Sequence, residues 1–360
     1  MAHLTFNHSK IMGICTVVPE NRIKLDDEAQ YYDDINKIKR LKMVVGLNER
    51  AVSSESTTPA DLMEYAASRI IEGMNIDKNS IDALVCVLDN PDYKCPPTSC
   101  VLQGKLDLPT TCMSFDINHG CAGYVYGLCM ACSLIENGCT RVLLLVGDTK
   151  TKTINIKDRI CAPIFGDGAA ATIIERSETE NNSYFILGTK GKDYKNIIIP
   201  AGGARIPYSE ATSKENIDEY GNIKSLNNFQ MNGKNVFDFT MNTVPQNIYD
   251  TLSLADLTVN EIDYFVLHQA NKNIIQNIAL RIGEKDFNKV PTSTLAKYGN
   301  LAVASIPSVI NDYLSDDVTN NRKTLLLSGF GVGLAYGAAV INLDKIYAPT
   351  IFTYKEKKYE

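Results

Sequence analysis

Ile76-Asp-Lys-Asn-Ser-Ile-Asp-Ala-Leu-Val-Cys-Val87 and Leu257-Thr-Val-Asn-Glu-Ile-Asp-Tyr-Phe-Val-Leu-His268 are two copies of one sequence pattern. Each copy begins with a polar turn, continues with Ile-Asp and ends in an unbroken apolar run, which is typical of a strand buried on both faces. The second copy is displaced by 268 − 87 = 181 residues, about half of the 360-residue chain. A displacement of this length indicates two related halves and not a short-period array.

Two further pairs of segments match in the same way. Arg141-Val-Leu-Leu-Leu-Val-Gly147 is similar to Lys323-Thr-Leu-Leu-Leu-Ser-Gly329. Gly168-Ala-Ala-Ala-Thr-Ile-Ile174 is similar to Gly337-Ala-Ala-Val-Ile-Asn342. Both pairs indicate buried strands beside small residues, so the two halves are expected to contain similar sheets.

Amphipathic segments fill the gaps between these runs. Thr58 is a suitable N-cap for a first helix, with Pro59 at its first helical position. A second helix is predicted from Ala122 to Asn137, ending at a glycine. A third is predicted over Val236–Leu252, with a kink or an end at Pro245, because proline cannot donate the helical hydrogen bond.

The alternation of buried strands with amphipathic helices predicts an α/β protein with two related sheets. The expected domains are residues 1–180 and residues 181–360, and the polar stretch Glu178–Ser183 is the best candidate for their boundary.

Composition excludes several classes of protein. Hydrophobic residues make up 44% of the chain and charged residues 22%, which suits a folded protein with a large core. The net charge is −6 and no basic face is clustered, so a nucleic-acid binder is not expected. No signal peptide and no apolar run of about 20 residues are found, which predicts a cytoplasmic protein without a membrane span. Its ten cysteines are then expected to be reduced thiols.

Cys121 is the first candidate for chemistry. It follows the extended segment Phe115–Gly120, and a helix is predicted to begin at or just after it. A sulfur at a helix N-terminus is favoured as thiolate by the free N–H groups and the helix dipole. The small neighbours leave room for a substrate. The alternative is one more buried core cysteine.

His268 and Asn300 are the second and third candidates. His268 follows a buried strand, where side chains are well placed for a site, and the first copy of the repeat has Val87 at the same place. The alternative is a hydrogen-bonded core histidine. Asn300 should begin the helix that corresponds to the one after Cys121, so that two helix starts face one cavity; alone, Gly-Asn is only a turn signal.

Weaker signals accompany these candidates. Gly329-Phe-Gly-Val-Gly333 follows a buried strand but lacks the spacing of a dinucleotide fingerprint, so it either presents a backbone N–H to an oxyanion or packs tightly. Cys129 and Cys132 form a C-x-x-C inside a predicted helix and have no partner pair, so no metal or redox site is expected. His119 can share a side with Cys121, although a turn role is the simpler interpretation.

Together these residues resemble the 3-oxoacyl-[acyl-carrier-protein] synthase III family of the thiolase superfamily. The resemblance covers almost the whole chain and is carried by motifs that are weak singly and specific in this order: Gly46-Leu-Asn-Glu-Arg50, Asn118-His-Gly-Cys-Ala-Gly-Tyr124, Phe165-Gly-Asp-Gly168, Met231-Asn-Gly-Lys-Asn-Val-Phe237, Val266-Leu-His-Gln-Ala-Asn271 and Tyr298-Gly-Asn300. It implies a thiolase-like five-layered αβαβα sandwich of two pseudo-symmetric halves, in a homodimer.

The resemblance also implies a mechanism. Cys121 attacks an acyl-CoA thioester, and the backbone N–H groups of Cys121 and Val332 bind the oxyanion. His268, through Nε2–H, and Asn300 then stabilise the enolate that a malonyl thioester forms on losing CO₂. The carbanion attacks the acyl-Cys and makes the C–C bond. The expected reaction is a decarboxylating Claisen condensation in fatty-acid or specialised acyl-chain biosynthesis, without a metal or redox cofactor.

The chain departs from the family pattern at its substrate contacts. Asn273 and Asp238 stand where basic residues usually meet the acyl carrier protein, although lysines are adjacent to both. The tryptophan that commonly stacks on the CoA adenine is missing, while Arg159 matches the other adenine partner and Arg40 is a further candidate for CoA binding. Cys95 replaces the aromatic residue that gates the acyl pocket from the partner subunit, which predicts a primer larger than acetyl.

Two other functions remain open from the sequence. One is an acyltransferase of the same fold that passes the Cys-bound acyl group to an oxygen or nitrogen nucleophile. The other is a non-catalytic paralogue that serves as a dimer partner or a binding module. The presence of both His268 and Asn300 favours the condensing enzyme.

Overall fold

The computed structural model describes residues 2–32, 35–219 and 221–356, and it has the mixed α/β architecture that the sequence predicts. In chain order the strands are β1 (Ala2–Phe6), β2 (Ser9–Pro19), β3 (Arg22–Lys24), β4 (Glu49–Ala51), β5 (Ala83–Leu88), β6 (Met113–Asn118), β7 (Arg141–Asp148), β8 (Gly168–Arg176), β9 (Ser183–Thr189), β10 (Ile197–Ile198), β11 (Asn216–Ile217), β12 (Ile223–Lys224), β13 (Gln230–Met231), β14 (Tyr264–Leu267), β15 (Arg322–Gly331), β16 (Ala335–Asp344) and β17 (Phe352–Tyr354). The helices are α1 (Ile35–Arg40), α2 (Pro59–Gly73), α3 (Thr98–Lys105), α4 (Gly123–Glu136), α5 (Glu210–Ser213), α6 (Gly233–Leu254), α7 (Lys272–Arg281), α8 (Ser293–Tyr298), α9 (Ser305–Tyr313) and α10 (Ser315–Asn320).

Two large mixed sheets form the framework. One has the strand order β17-β2-β8-β7-β5-β6, and the other has the order β1-β9-β16-β15-β14. The repeated segments occupy corresponding places: β5 pairs parallel with β7, β14 pairs parallel with β15, and both β7 and β15 pair antiparallel with the next strand. The apolar runs of the repeat are therefore buried strands, as predicted, although β14 lies at the edge of its sheet.

The helices and sheets form five layers, and three hydrophobic clusters pack between them. The first packs α2 and α3 against the outer face of the six-stranded sheet. The second lies between the sheets and includes α4 and α9. The third packs α6 and α7 on the far face of the five-stranded sheet. The order helix, sheet, helix, sheet, helix places the starts of α4 and α9 between the two sheets.

The terminal strands cross between the halves. β1 pairs with β9 in the five-stranded sheet, although it belongs to the first half of the sequence. β17 pairs with β2 in the six-stranded sheet, although it ends the second half. The division into residues 1–180 and 181–360 stays a prediction. Each of these ranges contributes one strand to the sheet that the other range mainly forms.

The three predicted helices are all present. α2 begins at Thr58, whose side chain accepts from the backbone N–H of Asp61 in a capping box, and α4 covers the second predicted helix. α6 runs through Pro245 instead of ending there. Pro245 has no N–H for the carbonyl of Met241 four residues earlier, and Arg281 Nη1 donates to that carbonyl at 3.1 Å instead. Within the described ranges, no helix combines the length and the apolar character that crossing a membrane requires.

Candidate active site

Cys121 lies in the short connection between β6 and α4, as the strand-to-helix pattern predicts. It is half-buried, and the helix begins two residues after it. The glycines around it allow close packing, because a Cβ placed on Gly123 would lie 2.7 Å from Val87 Cγ1 and 2.9 Å from Val303 Cγ2. The sulfur is therefore held where α4 starts, between the two sheets.

The glycine-rich turn after β15 packs directly against Cys121. A Cβ placed on Gly331 would lie 2.6 Å from Cys121 Cβ and 3.0 Å from Sγ, and one placed on Gly329 would lie 2.9 Å from Ala122 Cα. The backbone of Val332 hydrogen-bonds the thiol. The turn thus shows the tight packing that was one of the two expected alternatives, while presentation of its N–H to an oxyanion stays a prediction.

The Cys121 thiol is protonated at neutral pH in the free protein. Burial raises its pKa to about 12; the Lys150 cation acts to lower it, and Asp89 and Asp148 act to raise it. Burial therefore opposes the thiolate that the position at a helix start favours. The thiol proton has to be lost before or during nucleophilic attack.

His268 follows β14 and is 2% exposed. Its backbone N–H donates to the carbonyl of Ser328 at 2.8 Å, and its ring packs edge-on against Phe330 with the centroids 5.5 Å apart. Burial lowers the pKa of its imidazole to about 3, opposed by a hydrogen bond with the backbone of Ala302. A neutral imidazole carries one N–H and one acceptor nitrogen, so this ring bears no charge at neutral pH.

Asn300 is 3% exposed and lies just before the short turn that opens α9. Its backbone N–H donates to Ile164 at 2.9 Å. Its side-chain Oδ1 accepts from the N–H of Ala302 at 2.9 Å and from Ser305 Oγ at 3.2 Å. Both hydrogen bonds occupy the acceptor end of the amide, which leaves Nδ2 as the donor end.

The segments that carry the three residues meet at one place. Ala302 hydrogen-bonds both Asn300 and His268, so it joins the second and third candidates. The turn that contains Gly331 joins Cys121 to the end of β15, whose Phe330 packs on His268. The predicted correspondence of Cys121 and Asn300 is present, since each precedes a helix of the central layer.

The segment Phe165-Gly-Asp-Gly168 supports the site structurally. A Cβ on Gly166 would lie 2.1 Å from the carbonyl of Tyr298, so only glycine lets this segment run beside Asn300. The carboxylate of Asp167 accepts from the backbone of Ser53 at 2.8 Å and from that of Thr151 at 2.9 Å. The sequence interpretation of this segment as structural agrees with these contacts.

The weaker candidates take the following positions. The His119 ring stacks on Tyr126 with the centroids 4.2 Å apart. Cys129 and Cys132 are buried in α4. Cys95 is exposed on this single chain just before α3, so its role at a subunit interface stays a prediction.

Arg40 and Arg159 line one surface pocket, which supports grouping them in one site. Arg159 Nη2 donates to the carbonyl of Gly221 at 2.9 Å. Tyr32 lines the same pocket and was missed from the sequence. Its position eight residues before Arg40, in a chain that lacks tryptophan, was the available signal.

A buried charged cluster beside Cys121 was also missed. It consists of Asp89, Asp148 and Lys150, with Lys150 Nζ paired to Asp89 Oδ2. A signal was present, because the apolar run of β5 is followed directly by Asp89 and that of β7 is followed, after Gly147, by Asp148. The carboxyl ends of parallel neighbouring strands meet at one edge of a sheet, so these two carboxyl groups had to lie close together.

Comparison with known proteins connects this arrangement to a family. The model for 3-oxoacyl-[acyl-carrier-protein] synthase III matches residues 115–191, and the model for the C-terminal part of the same enzyme matches residues 252–343. These ranges include all three site residues. A putative 3-oxoacyl-[acyl-carrier-protein] synthase 3 of Campylobacter jejuni is 38% identical over 98% of this chain and 99% of its own length.

Further likeness covers most of the chain. A beta-ketoacyl-[acyl-carrier-protein] synthase III of Clostridioides difficile is 33% identical over 82% of this chain and 87% of its own length. The crystal structure of a 3-oxoacyl-(acyl-carrier protein) synthase from Burkholderia xenovorans superimposes with a TM-score of 0.91 at 34% identity. It covers 98% of this chain and 99% of the other.

Proposed function

Since this chain belongs to the 3-oxoacyl-[acyl-carrier-protein] synthase III family, it is an acyltransferase, and we propose that Cys121, His268 and Asn300 perform its condensation. The reaction is a decarboxylating Claisen condensation of an acyl thioester with a malonyl thioester in fatty-acid or related acyl-chain biosynthesis. The likeness to the Burkholderia structure also confirms the predicted thiolase-like α/β fold.

The first half-reaction uses Cys121 as the nucleophile. Its sulfur attacks the carbonyl of an acyl-CoA, and the acyl group passes from the sulfur of CoA to that of Cys121. The oxyanion of the tetrahedral intermediate is stabilised by the backbone N–H groups of Cys121 and Val332. The hydrogen bond between Val332 and the thiol supports this assignment, because it places a backbone donor beside the reacting sulfur.

The second half-reaction uses His268 and Asn300 as hydrogen-bond donors. When malonyl thioester loses CO₂, negative charge develops on the thioester oxygen, and two donors beside it stabilise the enolate. The single observation that carries this proposal is the state of these side chains: a neutral buried imidazole, and an amide whose oxygen is already occupied by Ala302 and Ser305. The carbanion then attacks the acyl-Cys121 carbonyl, which forms the C–C bond and frees the sulfur.

The pocket lined by Tyr32, Arg40 and Arg159 is proposed as the CoA nucleotide site. Two guanidinium groups suit the phosphates, and guanidinium planes and an aromatic ring both stack on a base. Replacing Arg159 by Met should raise KM for acyl-CoA while leaving Cys121 acylation by a short N-acetylcysteamine thioester unchanged.

Malonyl delivery by acyl carrier protein is proposed to use Lys234 and Lys272, in the first turns of α6 and α7. Asp238 and Asn273 are exposed beside them, so the basic surface is shifted along these helices and not lost. Replacing both lysines by Glu should raise KM for the malonyl thioester of acyl carrier protein, because the carrier protein is acidic. KM for malonyl-CoA should stay unchanged.

A homodimer is proposed from the edge of the six-stranded sheet. β6 is the outermost strand there, and an edge strand offers unpaired N–H and C=O groups to a second copy. Cys95 lies exposed near this edge, just before α3, which packs on β6. Sedimentation of the purified protein tests the dimer. Graded acyl-CoAs test the primer, for which acyl chains longer than acetyl are expected to label Cys121 faster.

The function is tested by separating the two half-reactions. Intact-mass analysis of purified protein with an acyl-CoA panel should show one acyl group, which the Cys121→Ala variant lacks. Release of ¹⁴CO₂ from labelled malonyl thioester should fall by about 10²–10³-fold in His268→Ala and in Asn300→Ala, as removal of a single oxyanion donor typically does. His3→Ala, an exposed histidine on β1, is the matched control.

Two outcomes contradict the proposal. Labelling of another cysteine in place of Cys121 would reject the nucleophile. Acylation of Cys121 without CO₂ release from any malonyl thioester, together with transfer of the acyl group to an amine or alcohol, would instead identify the alternative acyltransferase.

A further inference from the structure

Asp89, Asp148 and Lys150 form a buried charged cluster that the condensation mechanism does not use. Asp148 is 0% exposed and Lys150 is 2% exposed. The backbone N–H of Asp89 donates to Asp148 Oδ1 at 3.1 Å, and Asp89 Oδ2 pairs with Lys150 Nζ. The Lys150 ammonium also lies 4.8 Å from the centre of the Phe229 ring. Lys150 is thus fixed on one side by a carboxylate and on another by an aromatic face.

The cluster lies against the segment that carries the nucleophile. A Cβ placed on Gly120, the residue before Cys121, would lie 3.0 Å from Asp89 Oδ2 and 2.9 Å from Val332 Cγ1. The carboxylate that binds Lys150 therefore packs on the backbone beside the sulfur. The glycine at this position is what permits the close approach.

Fold stability does not account for such a cluster. Removing the charges from water costs several kcal/mol for each ion, and a buried ion pair is often no more stabilising than apolar residues of the same volume. Buried lysines are rare unless they are paired. A buried, paired lysine beside a reactive residue is instead typical of a functional site.

Electrostatic interactions within the cluster act on both of its buried ends. Burial, together with the neighbouring Asp89, raises the pKa of Asp148 well above its ordinary value and so favours its neutral form. Burial alone would lower the pKa of Lys150, but pairing with Asp89 outweighs it and raises that pKa. The ion pair of Asp89 and Lys150 is therefore the charged centre of the cluster.

Several groups face the Cys121 sulfur. The ionisable ones are Lys150, Asp89 and Asp148, and Lys150 is the one with the largest effect on the thiol. His119 faces Asp89 and is neutral at neutral pH, because burial lowers its pKa. Lys150 is therefore the charge that can stabilise an anion on the sulfur.

We propose that Lys150 is a positioning residue that stabilises the Cys121 thiolate, that Asp89 holds its ammonium in place, and that Asp148 fixes the backbone of Asp89. This inference rests on the proposed function, since it takes Cys121 as the nucleophile. When the thiol ionises, its proton leaves to solvent, and the departing CoA thiolate takes up one proton, so the half-reaction is balanced. The cluster itself gains and loses nothing.

The test is the pH dependence of Cys121 alkylation by iodoacetamide, followed by peptide mass spectrometry between about pH 7 and pH 9.5, where the rate is proportional to the thiolate fraction. Lys150→Met removes the charge and keeps most of the volume. We expect alkylation to slow about tenfold at each pH, the effect of a one-unit rise in pKa. Lys150→Arg, which keeps the charge, should recover part of the rate.

Lys152→Met is the matched control. Lys152 belongs to the same helical turn, Lys150–Thr153, but its Nζ donates to the carbonyls of Glu55 and Thr57. Its loss should leave the alkylation profile of Cys121 unchanged. A change equal to that of Lys150→Met would overturn the proposal, because a disturbed turn would then explain both.

A double variant tests whether an unpaired charge, and not the loss of Lys150 itself, explains the slower alkylation. Lys150→Met alone leaves Asp89 without its partner, whereas Lys150→Met with Asp89→Asn keeps the cluster free of uncompensated charge. It should also alkylate more slowly than wild type, by a smaller factor, because the effect of Lys150 exceeds that of Asp89. Alkylation as fast as wild type in the double variant, or in folded Lys150→Met, overturns the inference.

These outcomes are independent of the proposed function. Alkylation needs neither acyl-CoA nor malonyl thioester. If Lys150→Met alkylates normally while wild type still acylates and condenses, only this inference fails. If Cys121 never acylates, the proposed function fails, whatever the alkylation profile.

Discussion

The contact between Gly331 and Cys121 predicts a large loss of activity for Gly331→Ala. The added methyl carbon would lie 2.6 Å from Cys121 Cβ and 3.0 Å from Sγ. Carbon atoms pack best at about 3.5–4.0 Å, so one of the two segments has to move by roughly 1 Å. A displacement of about 1 Å at a reacting atom can lower a rate about 10²-fold. Overpacking of this kind costs about 1–3 kcal/mol of stability.

The assay for this prediction is single-turnover acylation of Cys121 by an acyl-CoA that labels the wild-type protein. The reaction is monitored by quenched flow and intact-mass spectrometry. Acylation should slow by about 10²-fold, while thermal unfolding shows that the variant remains folded. Gly104→Ala is the control, because a Cβ there meets nothing within 4 Å and alanine favours the interior of α3. Wild-type acylation by folded Gly331→Ala would refute the assigned geometry of the turn.

Three further predictions follow from particular contacts. Ser305→Ala removes one hydrogen bond to Asn300 Oδ1, so condensation should slow about fivefold, the equivalent of about 1 kcal/mol, while Cys121 acylation stays at its wild-type rate. Burial lowers the pKa of His268 to about 3, so the imidazole should stay neutral down to about pH 5. The rate of malonyl decarboxylation by the Cys121→Ala variant should therefore stay constant as the pH falls from 8 to about 5. A loss of rate centred near pH 6.5, the ordinary histidine pKa, would contradict the neutral donor. Thr58→Ala removes the N-cap of α2 and should lower the free energy of unfolding by about 1 kcal/mol, measured in urea, without changing activity.

Much of the fold was predictable because its determinants are local or periodic. The apolar runs of the half-chain repeat identify β5 and β14, and Thr58 with Pro59 marks the start of α2. The continuation of α6 through Pro245 was not predictable, because the donor that replaces the missing helical hydrogen bond comes from Arg281 on another helix. The crossing of β1 and β17 between the sheets also depends on contacts far apart along the chain.

The candidate site shows the same division. Cys121, His268 and Asn300 could be selected from residue type and position relative to strands and helix starts. Their chemical states could not. The protonated thiol and the neutral imidazole arise from burial in the folded chain, and the groups that act on them, Lys150 on Cys121 and Ala302 on His268, are distant in sequence. Only the orientation of the Asn300 amide depends on near neighbours, Ala302 and Ser305.

The amino-acid sequence by itself determined the α/β class, the doubled architecture and the three candidate side chains of the proposed site, because hydrophobic periodicity, caps and turns act between neighbours along the chain. Only the tertiary structure decided how close Gly331 lies to Cys121, and where the charge of Lys150 acts. Packing distances and the local dielectric depend on groups that folding brings together from distant parts of the chain, and these set the energies of charged and reacting atoms.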